Sequence, residues 1–330
     1  MGIFLVRRIW QLVVVLLGGY TIMFLLFFAL PSDPAEILAG GGSRQPPPQV
    51  IENTRIRFGF DKPLPEQYVT RLVDVVTLRA KSFKGEIPVI DTVKERLPNS
   101  LRLAFWAVMI ETIIGIGGGV LSARRRNSLS DWITTMSAVI LSAVPVFVLG
   151  YLLKQLTGAY AFQHDSWFQL PTQGIGPNEW YLWVIPTAEQ LRYLVQPAFV
   201  LASVSTAVIA RLTRTTMLEA SSSEHVRTAR AKGLKERHVV RRHTLRNALI
   251  PVVTYIGIDV GTLIGAAILT ETVFNWPGLG SKIASAANTR DLPVMLALSM
   301  VVILIYGIMS LVVDLLYAWL DPRIRLEDAK

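Results

Sequence analysis

Six stretches of this chain stay apolar for about the 20 residues a helix needs to cross a bilayer. They run from about Ile9 to Leu30, Leu101 to Leu121, Ile133 to Leu153, Leu194 to Ala210, Leu249 to Leu269, and Val294 to Leu320. A chain that commits so much of its length to lipid has few folds open to it. Backbone groups in hydrocarbon must bond within their own segment, which favours helices. The expected fold class is therefore an all-α integral membrane protein with six transmembrane helices. The fourth run is the weakest, because Gln196, Pro197 and several Ser and Thr residues thin it. Composition agrees: 52% of residues are hydrophobic, 17% are charged and the mean hydropathy is +0.43, too apolar for an ordinary soluble domain. The first run follows Arg7 and Arg8 as a leader peptide would, but it is longer than a leader's apolar core and "FFALPSDPA" is a poor cleavage site, so a retained anchor is expected.

The formal net charge of +9 does not point to nucleic acid, because the basic residues punctuate the ends of apolar runs instead of covering one face of a soluble domain. Arg7 and Arg8, Arg124 to Arg126, the linker from Arg211 to Asn247, and Arg323 with Arg325 all fall on one side if the runs alternate. The positive-inside rule makes that side, and both termini, cytoplasmic. The division expected is a first transmembrane helix over 1–30, an outer cap over 31–98, a five-helix core over 99–320 containing the basic loop 211–247, and a tail over 321–330. Within the cap, "GGGSRQPPP" reads as a loop and the stretch around Glu66 to Leu78 as a short helix. With no cysteine, disulfides and thiol chemistry are excluded.

The basic loop carries "VRTARAKGLKERHVVRRHTLRNALIP", Val226 to Pro251. Ser221, Ser222 and Ser223 offer N-caps, Gly233 suits the left-handed end of a helix, and a second helix from about Glu236 to Asn247 leads into the fifth run. Ala229 and Ala231 leave the first helix thin enough for a partner's backbone to approach, while Arg227, Arg230 and Lys232 supply charge for acidic groups. A solvated loop that only sets topology, or one resting on anionic headgroups, accounts for the charge equally well.

This arrangement is similar to the coupling loop of type I ABC importer permeases, where Glu-Ala-Ala, three residues and Gly dock into an ATPase. A frame beginning at Glu219-Ala220-Ser221 puts His225 where Gly belongs, whereas Arg227-Thr228-Ala229-Arg230-Ala231-Lys232-Gly233, followed by Leu234, keeps the Ala and the Gly. The second frame and "LRNALIP" resemble the peptide-permease branch, as do "FDKPLPEQY", "ERLPNSLRL", "ETVFNWPGLG" and "VDLLYAWLDPRIR". The long outer insert resembles the B-type subunit of dipeptide and oligopeptide importers, although "AKSFKGE" stands where that branch commonly has "GDLG". The resemblance covers nearly the whole chain. It implies a second, homologous permease subunit, two cytoplasmic ABC ATPase subunits or domains, and an extracytoplasmic substrate-binding protein. ATP and Mg would be held by the ATPase partners, with no cofactor on this chain. Near relatives also carry nickel or haem.

Inside the runs, Gly115 and Gly119, and Gly257, Gly261 and Gly265, recur every four residues. Such faces let helix backbones approach closely, for packing within the chain or against a partner. Glu111 and Asp259 fall near the middle of their runs, where a carboxylate costs about 2.5 to 3.5 kcal/mol. Two readings stand for them: a substrate pathway favouring a cationic or amino-terminal group, or a carboxyl hydrogen-bonded to a neighbouring helix. Glu271, Asp314 and Asp321 read as interfacial anchors or caps.

No Walker A pattern is present; "GLGSK" lacks the spacing and "GIGGGV" lies inside an apolar run, so ATP hydrolysis by this chain is not expected. His164, His225, His238 and His243 lack zinc-site spacing, and His238 and His243, five apart, should leave a shared α-helical face. The functional expectation is half of a substrate pathway driven by separate ATPases through alternating access. An ion-coupled secondary transporter and a structural scaffold are the competing classes.

Overall fold

The computed structural model describes residues 2–29, 33–40 and 46–320, so most of the Gly40–Pro48 loop, Asp321, Arg323, Arg325 and the tail lie outside the described residues, as does the Asp314 side chain. Among the described residues, five helices are long and apolar enough to cross a membrane, and one bent pair brings the number of possible spans to six. The chain divides into two compact units: residues 1–100 cluster with 277–311, and residues 101–276 with 312–322.

In the first unit, α1 (Gly2–Ala29) is followed by α2 (Pro34–Leu38), α3 (Pro48–Phe58) and α4 (Leu64–Val76). Each short helix has a local cause. Asp33 accepts from the Ala35 amide at 2.9 Å to start α2. Gly59, at φ 68°, ends α3 in the left-handed conformation. The "FDKPLPEQY" segment is tied to α1 by Tyr20, whose hydroxyl donates to the Tyr68 carbonyl at 2.9 Å. Phe83 of "AKSFKGE" is buried with its ring tilted against that of Phe58, centroids 4.5 Å apart, while its amide donates to Asp291 at 3.1 Å. Asp291 precedes α14 (Leu292–Leu320), so the cap is bonded to the turn after α13 (Leu279–Asn288). Leu292, Leu296 and Leu298 complete this unit's core.

The helix α5 (Val89–Arg124) begins well before the apolar run does and carries Pro98 inside it. The third run is not one straight helix. It breaks into α6 (Leu129–Ala143) and α7 (Val146–Lys154), which with its continuation to Gln163 is bent by 106° from α6. Pro145 explains the break: it lacks a donor, and it forces Val144 into the extended region, at ψ 125°. A π-helical turn (Gln155–Tyr160), α8 (Ala161–Gln163) and a hairpin of β1 (Trp180–Tyr181) and β2 (Ile185–Pro186) come next. Arg102 braces the hairpin by lying over Trp180 at 4.8 Å and Trp183 at 5.3 Å.

The run that looked weakest forms α9 (Ala188–Ser222), with 72% of its best spanning window buried. Its polar residues serve packing. Thr206 and Ser203 donate back to the carbonyls of Ala202 and Val200, each at 2.8 Å, and Gln196 donates to the Pro171 carbonyl at 3.0 Å. Small residues then let neighbours close in. Asp131 at the start of α6 clamps α9 by accepting from Arg214 at 2.7 and 3.0 Å. From Glu236 the chain is helical without interruption to Val273, through α11 (Glu236–His238), a π-helical turn (Val239–Thr244) and α12 (Leu245–Val273). Lys154 donates to the Val273 carbonyl at 2.7 Å, which caps α12.

Candidate coupling segment and buried carboxyl pair

Helix α9 stops where Ser223 turns extended (φ −70°, ψ 151°), and the same residue starts α10 (Glu224–Ala231). The Ser223 hydroxyl donates backward to the Ala220 carbonyl at 2.5 Å, so it closes α9 and makes no side-chain cap for α10. At the other end, Gly233 has φ 74°; its amide donates to the Arg230 carbonyl at 2.9 Å and the Leu234 amide to that of Ala229 at 3.4 Å. That pair of bonds is a Schellman closure.

The faces of α10 differ from expectation in one respect. Ala229 does not leave an open surface for a partner: with Val226 and Val239 it forms a small buried cluster that pins α10 to the start of the long helix beyond Gly233. Helical spacing explains this, since Val226 and Ala229 are three apart and share the inward face. The outward side carries Arg227, Thr228, Ala231, Lys232, Gly233 and Leu234, all exposed. Two of the expected docking cations have internal partners. Arg227 donates to Glu224 at 2.9 Å. Arg230 grips both oxygens of Glu236, at 3.2 and 2.9 Å, and donates to the Ser221 carbonyl at 3.2 Å. Arg230 thus ties the end of α9, the short helix and the start of the long α11–α12 helix together. Asn247, which the sequence did not single out, adds a bond at 2.9 Å from its amide to His225.

The π-helical turn revises the histidine reading. With hydrogen bonds closing over five residues, positions five apart approach one row, and the rings of His238 and His243 lie 5.9 Å apart. No group of three or more metal-binding side chains occurs among the described residues.

Deeper in the second unit, Glu111 of α5 is fully buried and Asp259 of α12 is nearly so, and their carboxyls lie side by side. Asp259 accepts from Thr262 at 2.9 Å, and apart from the two carboxyls themselves no donor among the described residues reaches its Oδ2 or either oxygen of Glu111. Tyr255, one turn before Asp259, lies beside Ser205 of α9. Three helices therefore converge on one buried polar cluster. Glu271, which reads from the sequence as an interfacial anchor or cap, is completely buried.

The glycine runs have unequal neighbours. A Cβ on Gly115 would stand 2.7 Å from Ile209 Cγ2, and one on Gly119 would stand 2.6 Å from the Ala210 carbonyl oxygen, so α5 and α9 cross in close contact there. On α12, a Cβ on Gly257 would meet Val313 at 3.1 Å, Gly261 is buried, and Gly265 faces open space. Small-residue spacing found one close crossing and did not make a continuous interface of the other.

Known proteins resemble this chain in sequence. Residues 115–326 match the family described as binding-protein-dependent transport system inner membrane component, and residues 1–104 match the N-terminal part of such membrane components. The chain is 34% identical to the dipeptide transport system permease protein DppB of Alkalihalophilus pseudofirmus, over 97% of this chain and 98% of that one. It is 35% identical to the probable D,D-dipeptide transport system permease protein DdpB of Escherichia coli K12, over 96% of each. The oligopeptide transport system permease protein AppB of Bacillus subtilis is 33% identical over 98% of this chain and 99% of its own length. With its helical spans and family matches over nearly its whole length, the chain belongs to the binding-protein-dependent transport system inner membrane components and has their type I ABC importer permease fold.

Proposed function

We propose that this chain is one permease subunit of an ATP-driven importer for dipeptides or oligopeptides, lining half of the pathway beside a second, homologous permease subunit. Relatives named for dipeptide and oligopeptide transport support the cargo. The observation that carries the mechanism is the Arg230 junction, which joins α10 to both α9 and the continuous helix into α12. Cytoplasmic ATPase partners bind and hydrolyse ATP with Mg; this chain holds no cofactor. Their closure displaces the outward face of α10, from Arg227 to Leu234. The Val226–Ala229–Val239 cluster stops α10 from sliding separately, so the push passes to α9 and α12. Those two helices carry Ser205, Tyr255 and Asp259, and movement between them opens and closes the polar cluster to each side in turn. An extracytoplasmic binding protein delivers the cargo, in a bacterial or archaeal cytoplasmic membrane with both termini of the chain inside.

Glu111 and Asp259 place acceptor oxygens in an apolar bundle, and in this reading they favour a peptide's amino terminus or a basic side chain. The test is uptake into proteoliposomes containing the complete importer. Uptake should follow ATP supplied on the ATPase side and ignore an imposed ion gradient. Asp259→Asn and Glu111→Gln should lower uptake of cationic peptides more than of neutral ones. Uptake that follows an ion gradient without ATP refutes the importer in favour of an ion-coupled transporter, and unchanged discrimination in both variants removes the carboxyls from the pathway.

A further inference from the structure

Six basic side chains, Lys235, Arg237, His238, Arg241, Arg242 and Arg246, surround a groove of about 710 Å³ at the start of the α11–α12 helix. No carboxylate lines it. The one acidic residue of the segment, Glu236, is engaged by Arg230 instead, and among the described residues Lys235, Arg237, Arg241, Arg242 and Arg246 form no ion pair. So much positive charge in one concavity repels itself and calls for an anion. The π-helical turn helps to build the groove, because its wider turn draws residues five apart, such as Arg237 with Arg242 and Arg241 with Arg246, toward one side of the helix.

Helix length locates the groove. The continuous helix Glu236–Val273 has 38 residues. At 1.5 Å per residue it spans about 57 Å, against roughly 30 Å of hydrocarbon core. The apolar stretch from Ala248 onward fills the core, which leaves the arginine-bearing turns at headgroup depth. Leu245 and Leu249 line the same groove one turn apart, on the side that leads into the membrane. Guanidinium groups match phosphate oxygens with paired hydrogen bonds, and basic pockets at this depth attract anionic lipids.

We propose that this groove binds the phosphate of an anionic phospholipid headgroup through Arg237, Arg241, Arg242 and Arg246, with Leu245 and Leu249 against the glycerol and first acyl carbons. The site is separate from the docking face of α10, whose arginines have partners within the chain. It anchors the helix that the ATPase-driven push must move, and it is independent of the cargo.

The test is native mass spectrometry of the full chain in neutral detergent, titrated with phosphatidylglycerol or phosphatidylcholine. Phosphatidylglycerol should be retained, phosphatidylcholine should not, and millimolar inorganic phosphate should fail to displace the lipid. Arg241→Gln/Arg242→Gln/Arg246→Gln should weaken phosphatidylglycerol retention by roughly a hundredfold, on the usual increment for three basic side chains at an anionic surface. The corresponding triple Lys variant, which keeps the charge, should stay within severalfold of wild type, and single Gln variants should fall in between. Equal retention of both lipids overturns the proposal, as does a triple Gln variant that retains phosphatidylglycerol as well as wild type does. Displacement by phosphate alone would make the site one for a free anion and overturns it. A Gln variant that keeps its lipid but no longer co-purifies with ATPase subunits would make the groove a protein-docking face, and also overturns it.

Discussion

The close crossing of α5 and α9 can be broken by a single methyl group. A Cβ on Gly119 would lie 2.5 Å from Thr213 Cβ, 2.6 Å from the Ala210 carbonyl oxygen and 2.9 Å from Thr213 Cγ2. Ordinary carbon contacts are about 3.5 to 4.0 Å, so Gly119→Ala forces the helices roughly 1 Å apart or strains both. The obstacle includes backbone, which cannot rotate away as the end of a flexible side chain can. Overpacking of this kind costs about 1 to 3 kcal/mol. Removing a helical glycine returns about 0.5 to 1 kcal/mol, so the net loss lies between about 0 and 2.5 kcal/mol. Gly117, on the same helix, has nothing within 4 Å of its would-be Cβ. Gly117→Ala should therefore gain the propensity term alone. Thermal unfolding of the purified chain in one detergent compares them directly: Gly119→Ala should melt below wild type, and Gly117→Ala at or above it. Equal midpoints for the two variants would mean that α5 and α9 do not touch at Gly119, and the crossing would have to be abandoned.

Two other perturbations probe the loop and the cap. Gly233 faces open space but has φ 74°, so Gly233→Ala costs only the left-handed backbone penalty, about 1 to 2 kcal/mol; the melting midpoint of the chain should fall by a few degrees, substrate-stimulated ATPase activity of the assembled importer should fall even well below that midpoint, and unchanged stimulation would contradict the Schellman closure's role. In the cap, Arg57 donates to Glu86 at 2.5 Å, and this hydrogen bond holds the Glu86 carboxyl below its usual range. A depressed carboxyl contributes its stability above the unfolded-state pKa and loses it as pH falls through the folded value. Hydrogen exchange around Gly85 and Glu86 should therefore keep the same protection from pH 7 to about 5 and lose it only below the ordinary glutamate value of about 4.3; loss already between pH 7 and 5.5 would refute the pairing.

Sequence by itself determined where the chain meets lipid and where the first helix of the basic loop ends. Hydrophobic runs of spanning length force helices because hydrocarbon offers no partner for a backbone amide. Gly233 marked the end of α10, since few residues other than glycine take φ 74° without strain. Tertiary structure decided which faces meet. The fourth run looked weak because hydropathy counts Ser, Thr and Gln as polar, yet in α9 those groups bond to carbonyls of their own helix or of the loop around Pro171, and their small size admits neighbours. The third run reads as one span in the sequence and its break at Pro145 is not legible there, because the direction α7 takes after an extended Val144 depends on its packing against other helices as well as on the proline ring. The pairing of Glu111 with Asp259, the inward turn of Ala229 and the approach of His238 to His243 are matters of helix phase and of contact between distant segments. One π-helical turn shifts that phase by a fraction of a residue per turn, which residue counting on an α-helical wheel does not register.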